Sequence, residues 1–471
     1  MGNVLHGLIS GKPVFPVPQI LKEVSQIFTA RGKTVYLVGG AVRDSLGGKK
    51  PQDWDLATDA VPDEVIAMFA ESVPRGYVIP TGIAHGTVTV RFRGRNMEVT
   101  TFRSESGYSD GRRPDKVEFG TSIEADLSRR DFTMNAMAYK LPGGPLLDPF
   151  DGISDIKQKR ISCVGKAEER FVEDGLRPLR AIRFASQLDF WLDDSVLAAI
   201  PGALPVCCHV APERIRDELD KIIGSPRPSV GFLLMEKTGM LKLLIPELDS
   251  CRGIEQKGFH RFDVLDHSLL TLDHAAKNNA SLELRLAALY HDIGKPTVRR
   301  ADDSGVWTFH QHEKESSKIA RRIFLRFRYP NAVMDKACHL MEQHMFFYDP
   351  NWSDAAVRRF IIRAGEDHLD DLYTLRRADS FAHMGTEAPA DSLLPLIERV
   401  DKILAEKKAM SLKDLAVSGN DLAAAGIIPG KRMGVILKEL MEAVLEDPEL
   451  NTKDKLLEMA LKMNEPFSKQ N

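Results

Sequence analysis

Apolar and polar positions change their rhythm partway along the chain. Val35-Tyr36-Leu37-Val38 is an unbroken apolar run that stops at Gly39-Gly40, which predicts a buried strand followed by a turn. Thr87–Phe92 and Met97–Phe102 alternate with period two, and Arg93-Gly94-Arg95-Asn96 between them predicts a hairpin turn. From about residue 155 the apolar positions recur at spacings of three and four, as in Phe171–Leu188 and Pro212–Ile223. The remainder reads as successive helices broken at Pro226, Pro228, Pro296, Pro330, Pro350 and Pro389. No internal repeat or low-complexity linker interrupts them, and the polar stretch Glu465–Asn471 predicts a frayed end.

Composition narrows the class. At 471 residues, with 43% hydrophobic and 28% charged, the chain fits about three globular domains. Its five cysteines contain no CxxC pair, which argues against a disulfide scaffold and against a cysteine zinc site. No apolar run approaches the roughly 18 residues of a membrane span, and Met1–Lys12 lacks the features of a signal peptide. A cytoplasmic protein is therefore expected, with no membrane contact and no obligate protein partner. The net charge of −3 means that a nucleic-acid partner must be held by local basic patches.

Four segments in the first 190 residues carry candidate chemistry. In Leu37–Asp44, Gly39 and Gly40 follow a strand and open an expected helix, where backbone N–H groups can hold a phosphate and Arg43 adds charge. The plain alternative is a tight turn. Asp53 and Asp55 flank Trp54, and on a strand their carboxylates share one face. Two like charges side by side repel, and Mg²⁺ resolves the repulsion by taking one or two carboxylates and completing its shell with water and phosphates. Glu98, in an alternating strand, supplies a third acid for a two-metal phosphoryl transfer. In Asp126–Tyr139 the apolar positions predict a helix after Asp131, with Arg129 and Arg130 at its start ready to meet phosphate oxygens. Asp174, Arg177, Arg180 and Arg183 recur every three residues, which predicts one helical face offering acceptors and donors to a base edge; a surface stripe is the bland alternative.

The order of these segments resembles that of the class II tRNA nucleotidyltransferases, the CCA-adding enzymes, and the related bacterial poly(A) polymerases. The matching stretches are LVGGAVRD at 37–44, DWDLATDA at 53–60, GIAHGTVTV at 82–90, EVTTFR at 98–103, GRRPDKVEF at 111–119, DLSRRDFTMNAMAY at 126–139 and RFVEDGLRPLRAIRFA at 170–185. The resemblance implies a polymerase-β-like α/β head, with a mixed sheet and helices, followed by an all-α neck, body and tail. It implies that Asp53 and Asp55 bind the catalytic metals, that Gly40 and Arg43 hold the incoming triphosphate, and that Arg130 contacts the nucleotide. Asp174 and Arg177 would then pair with the Watson–Crick edge of CTP or ATP, with Arg180 and Arg183 behind them or on phosphates. Ser104–Lys116 resembles the flexible loop that helps such a site pass from C to A addition. Addition of the terminal A alone, or poly(A) synthesis, remains open within the class.

Ten of the thirteen histidines fall between His260 and His383. Leu284–Tyr290 predicts an apolar helix running into His291-Asp292, stopped by Gly294 and Pro296. An ion held there needs more ligands, and His267, His312, His344 and Asp379 are candidates. Mixed nitrogen and oxygen ligands suit Mn²⁺, Fe²⁺, Ni²⁺ or Zn²⁺. The ordered set His267, His291, Asp292, Asp379 resembles the HD phosphohydrolase superfamily, and His312 and His344 resemble the extra ligands of members with a second metal. That resemblance implies hydrolysis of 2′,3′-cyclic phosphates, 2′-nucleotides or phosphomonoesters; a body that only binds RNA, or an HD hydrolase whose head only binds RNA, are the competing readings.

Leu415–Leu422 and Gly426–Gly434 read as a helix–turn–helix, where Lys431 and Arg432 can grip RNA phosphate. Lys318, Arg321, Arg322, Arg326 and Arg328 form a dense basic stretch, either a phosphate track or a solvated face. The expected division is a head at 15–150, a neck at 151–255, an HD body at 256–400 and a tRNA-binding tail at 401–471.

Overall fold

The structure is a computed structural model that describes residues 17–51, 53–72, 77–80, 82–83, 86–106, 116–120, 122–256, 261–386, 392–406 and 411–468. The chain divides into two compact units. The first ends at Asp249 and also takes in Leu325–Arg328; the second holds Ser250–Phe324 and the chain from Tyr329 onward.

The first unit opens with a mixed seven-stranded sheet. Its strands are β1 (Val35–Val38), β2 (Asp55–Thr58), β3 (Tyr77–Ile79), β4 (Thr87–Phe92), β5 (Arg95–Thr101), β8 (Ala138–Lys140) and β9 (Leu146–Leu147), in the order β3-β4-β5-β2-β1-β8-β9. A separate hairpin is made by β6 (Arg103–Ser106) and β7 (Lys116–Phe119). Six strand pairings build the sheet, and β2 with β5 is the parallel one. The predicted hairpin is present but tighter than expected. Arg93 and Gly94 alone make the turn, both at positive φ (47° and 78°), and β5 starts at Arg95. Such a two-residue turn matches the twist of the flanking strands. The helix Gln19–Thr29 buries Leu21, Val24 and Phe28, one stripe at spacings of three and four. Phe69, on the helix Pro62–Ser72, packs edge-on against Phe28 at 5.9 Å and near Phe92 at 6.3 Å.

Three expectations need correction. No helix follows Asp131. A single 3₁₀ turn, Thr133–Asn135, leads into β8, because this segment must pair with β1 and bury Met134, Ala136 and Met137 in the core. Asp53 is not on a strand; it lies in a bend, and β2 begins at Asp55. The helical stretch expected over Phe171–Leu188 is two helices, Ala167–Glu173 and Arg177–Leu188, with Asp174 in the link. Pro178 lies in the first turn of the second, where its missing N–H is no loss. The helix Pro212–Ile223 has the predicted bounds.

In the second unit the helices Val264–Lys277, Leu282–Tyr290, His312–Arg326, Asn331–Gln343 and Leu369–Met384 bring together the histidine-rich segments. A separate apolar cluster in the same unit joins Leu415, Val417 and Leu422 to the helices Lys431–Glu446 and Lys453–Ser468. Among the described residues no helix is long and apolar enough to cross a membrane. The five cysteines are free thiols.

Replacing the fully buried Phe69 by Ala removes the ring that joins the helix pair to the sheet. The expected cost is about 3–5 kcal/mol, read as a lower urea midpoint of unfolding.

Candidate active site and metal centre

The first site is built on the parallel strand pair of the seven-stranded sheet. Asp55 of β2 stands opposite Glu98 of β5 in the register, so both acids lie at the same level of the sheet. Trp54 turns the other way and is buried in the core, under the guanidinium of Arg95 at 5.3 Å. Burial raises the Asp55 pKa, and Glu98 and Asp53 push it the same way against the pull of Arg130. Carboxylates held against their own charge are what a divalent cation relieves, and Asp55 beside Glu98 has that character.

Gly39 caps the helix Gly40–Leu46 at φ +67°, and a Cβ there would lie 3.0 Å from Arg130 Nη1 and 3.6 Å from Asp55 Oδ2. The positive φ favours glycine, and any side chain there would displace the Arg130 guanidinium. Arg129 and Arg130 close the helix Ile123–Ser128 instead of opening a new one. Both donate to the buried Asp126, Arg129 Nη2 at 2.6 Å and Arg130 Nη2 at 3.3 Å. Burial alone would raise the Asp126 pKa; the two arginines outweigh it and lower it.

A buried polar path leads from here to the second helix pair. Arg43 Nη1 donates to Asn135 Oδ1 at 2.7 Å, and Asn135 Nδ2 donates to Asp131 Oδ1 at 3.2 Å. Asp131 Oδ2 accepts a fork from Arg180 at 2.9 and 2.6 Å. Burial opposes the charge on Asp131, but Arg180 prevails and brings its pKa to about 2. Arg183 Nε then donates to the buried Glu218 at 2.8 Å, and burial lowers the Arg183 pKa to about 10. Arg177 is held by the carbonyls of Arg170 at 3.0 Å and Arg129 at 3.1 Å. Asp174 does not share its helical face. Its Oδ1 accepts from Leu176 N–H at 3.0 Å and its Oδ2 from Arg214 at 3.0 Å. Arg130 Nε and Arg214 Nη1 are buried donors that meet no acceptor among the described residues. Asn135, Asp131, Arg214 and Glu218 were not legible as site residues. Asp131 and Asn135 lie within 126–139, and Glu218 and Arg214 lie on Pro212–Ile223, but nothing in the sequence says which partner each one meets. The loop residues 107–115, with Ala84, His85 and His260, lie outside the described residues.

The second site gathers His267, His291, Asp292, His312, His344 and Asp379, all buried. His267 Nε2 lies 3.2 Å from His291 Nε2, 3.4 Å from Asp292 Oδ2 and 3.1 Å from Asp379 Oδ1. His312 Nε2 lies 3.2 Å from Asp292 Oδ1, so the two oxygens of Asp292 face two ligand groups. The ring orientations follow from the backbone. Nδ1 of His291, His312 and His344 faces the carbonyls of Ala288, Phe309 and Met341 at 2.9, 2.9 and 2.6 Å. A carbonyl only accepts, so each Nδ1 donates to it and each Nε2 is the ring nitrogen left to face a cation. Asp292 Oδ1 and His312 Nε2 are buried and close, yet make no hydrogen bond. The pocket fits a metal. Burial disfavours the charged form of His291, but Asp292 and Asp379 overcome it and push its pKa up to about 10, so a proton takes the charge that a cation would carry.

Lys295 holds Asp292 Oδ2 at 2.7 Å, and Arg376 holds Asp379 Oδ2 at 2.8 Å. Gly294 lets two segments touch. A Cβ there would lie 2.6 Å from Ser316 N and 2.8 Å from His312 O, and its own N–H donates to Ser316 Oγ at 2.9 Å.

The tail candidates separate. Lys431 is exposed at the start of its helix, while Arg432 donates to the Met463 carbonyl and so ties two helices together. Much of the basic stretch is paired within the protein: Lys318 with Glu315, Arg321 with Asp335, Arg326 with Glu247 and Arg328 with Glu213. That favours the solvated-face reading.

The head's acid-bearing sheet, followed by an HD pocket, defines a nucleotidyltransferase with an appended HD domain. Residues 35–162 match the poly A polymerase head domain, 189–252 the probable RNA and SrmB-binding site of polymerase A, and 264–384 the HD domain. The chain is 32% identical to the CCA-adding enzyme of Levilactobacillus brevis over 442 residues, 93% of this chain and 96% of that one. The crystal structure of the Bacillus stearothermophilus CCA-adding enzyme in complex with CTP is 29% identical, covers 96% of this chain and 99% of its own, and superposes with a TM-score of 0.72. The Thermotoga maritima CCA-adding enzyme shares the fold at 21% identity and a TM-score of 0.56, covering 98% of each chain. The chain belongs to the CCA-adding enzymes, which are tRNA nucleotidyltransferases.

Two outcomes follow. The depressed Asp131 pKa contributes stability that is present above the ordinary carboxylate value and lost as pH falls toward about 2. Asp131→Asn should remove that acid limb and cost about 3–5 kcal/mol at neutral pH, measured by urea unfolding across pH. Stripping metal with a chelator should lower the melting temperature, and restoring Zn²⁺ or Mn²⁺ to about 100 times its Kd should return about 2.7 kcal/mol; a His291→Ala variant should not respond.

Proposed function

We propose that this enzyme builds the whole CCA end of tRNA from CTP and ATP, and that its HD pocket hydrolyses phosphate esters. The tRNA 3′-hydroxyl attacks the α-phosphate of the nucleotide in line, and pyrophosphate leaves. Asp53, Asp55 and Glu98 would hold Mg²⁺, which when bound neutralises charge on the attacking and leaving oxygens. Gly39, Gly40 and Arg43 bind the triphosphate at a helix start, and Arg130 contacts the nucleotide. The single observation that carries the reading is the acid pair at one level of β2 and β5, with Arg130 against it and a buried donor of Arg130 still without an acceptor.

Selection follows from chemistry. On their Watson–Crick edges C and A each present an exocyclic amino donor beside a ring acceptor, whereas G and U present a ring N–H there. Asp174 accepts from the amino group and Arg177 donates to the ring nitrogen. Arg214 on one side and the carbonyls of Arg170 and Arg129 on the other fix that pair before a base arrives. A wrong base leaves desolvated polar groups unmatched, which is where binding sites discriminate most strongly. Arg180 and Arg183, fixed by Asp131 and Glu218, stiffen the helix that carries Arg177. Lys431 is an exposed candidate contact for tRNA.

The HD pocket would hold a transition metal through His267, His291, Asp292 and Asp379, with His312 and His344 available to a second ion. When bound, such an ion lowers the pKa of a coordinated water and polarises a phosphoryl oxygen. Lys295 and Arg376 keep the two carboxylates aimed inward.

Extension of a tRNA transcript lacking CCA, with CTP and ATP supplied singly and together, tests the transferase reading. Three residues should be added and no more. Asp53→Ala should lower the rate by about 10³-fold or more, and Arg177→Ala should admit GTP and UTP. One A added only to a tRNA already ending in CC would make this an A-adding enzyme. Phosphatase activity surviving Asp53→Ala and lost in Asp292→Ala would assign hydrolysis to the HD pocket.

A further inference from the structure

We propose that His383 is an additional ligand of the metal in the HD pocket, placed at its solvent-facing mouth. The assignment rests on the pocket holding a cation, as argued above. His383 lies one turn beyond Asp379 on the helix Leu369–Met384, so both side chains leave the same face. Its Nε2 is 3.4 Å from Asp379 Oδ1, the same oxygen that lies 3.1 Å from His267 Nε2. Ligand atoms of His267, Asp379 and His383 all fall within 4.8 Å of one another.

The spacing suits shared coordination better than a direct bond. A charge-assisted N–H···O bond is about 2.7–2.9 Å long. Two atoms bound to one ion at about 2.1 Å each, at a tetrahedral angle, stand about 3.4 Å apart. The His383–Asp379 separation has the second value. The ring of His383 also lies 5.0 Å from that of His267, on the side away from His312 and His344 in the chain of contacts His383–Asp379–His267–Asp292–His312.

Exposure sets His383 apart. Its side chain is 35% accessible, against 1% for His267 and 6% for Asp379. The buried ligands hold the ion; His383 meets it from the solvent side, where a phosphate ester must arrive. A further imidazole shifts the pocket's preference from Mg²⁺ toward Mn²⁺, Co²⁺, Ni²⁺ or Zn²⁺.

The test titrates Co²⁺ into the full chain carrying Asp53→Ala and Asp55→Ala, so that the head carboxylates do not compete. Binding is followed by calorimetry and by the visible d–d absorption of the bound ion, with melting curves confirming that each variant is folded. His383→Gln and His383→Ala should both weaken Co²⁺ by at least about tenfold and change the position or intensity of the d–d bands. Unchanged affinity and spectrum in both variants would overturn the assignment while leaving the metal centre standing. Weaker binding with an unchanged spectrum would also overturn it, because His383 would then act only by positioning Asp379. Failure of the parent to bind more Co²⁺ than a His291→Ala variant would remove the metal centre itself, and His383 as its ligand with it.

Discussion

Two carboxylates at one level of a parallel strand pair form the constraint around which the head is arranged. The β2–β5 register fixes the backbones of Asp55 and Glu98 side by side. Their repulsion has to be met by something, and the protein brings a cation to it: Arg130, pressed against Gly39 and clamped by Asp126. The glycine, the buried Asp126 and the short helix behind it all follow from positioning that one guanidinium. From Arg43 the neutral amide of Asn135 bridges to Asp131, and from there Arg180, Glu218 and Arg183 alternate in charge, each answered by the next. Breaking any pair in such a run leaves its partner buried and uncompensated.

The sequence exposed some of this and hid the rest, for identifiable reasons. Local signals were sound: the strand Val35–Val38 ends at its glycines, Thr87–Phe92 alternates, and Pro212–Ile223 carries a clean helical period. Asp126–Tyr139 misled because Met134, Ala136 and Met137 are spaced like a helix face, while pairing with β1 imposes a strand. Asp174 was expected on a face with Arg177 because three-residue spacing looks helical; the chain breaks between them, and Asp174 turns to Arg214 instead. The candidate residues themselves were mostly legible, being unusual residue types in short segments. Their partners were not, since Glu218 meets Arg183 across 35 positions and nothing local announces it.

The HD pocket shows the same division. His267, His291, Asp292 and Asp379 stand out in a histidine-rich region, and the helices bring them together with His312 and His344. What the sequence does not display is the uniform way in which three rings are oriented, each Nδ1 facing a carbonyl three residues upstream. His291 and His344 sit at helix C-termini and His312 follows a turn, so backbone geometry alone supplies the arrangement without any further side chain.

Gly294 has an effect on how this enzyme can vary. Its contact with the backbone of His312 and Ser316 closes a loop at its base, and the short hairpin Arg300–Ala301 with Trp307–Thr308 projects beyond that closure. The hairpin's turn, residues 302–306, is tethered by its paired strands, so its length is uncoupled from the position of His312. Closing a longer loop costs only about 0.6 kcal/mol for each doubling. The hairpin is therefore free to lengthen, shorten or change composition among descendants of this chain while the ligand geometry stays constant, and a reporter domain inserted there would be carried without disturbing the pocket.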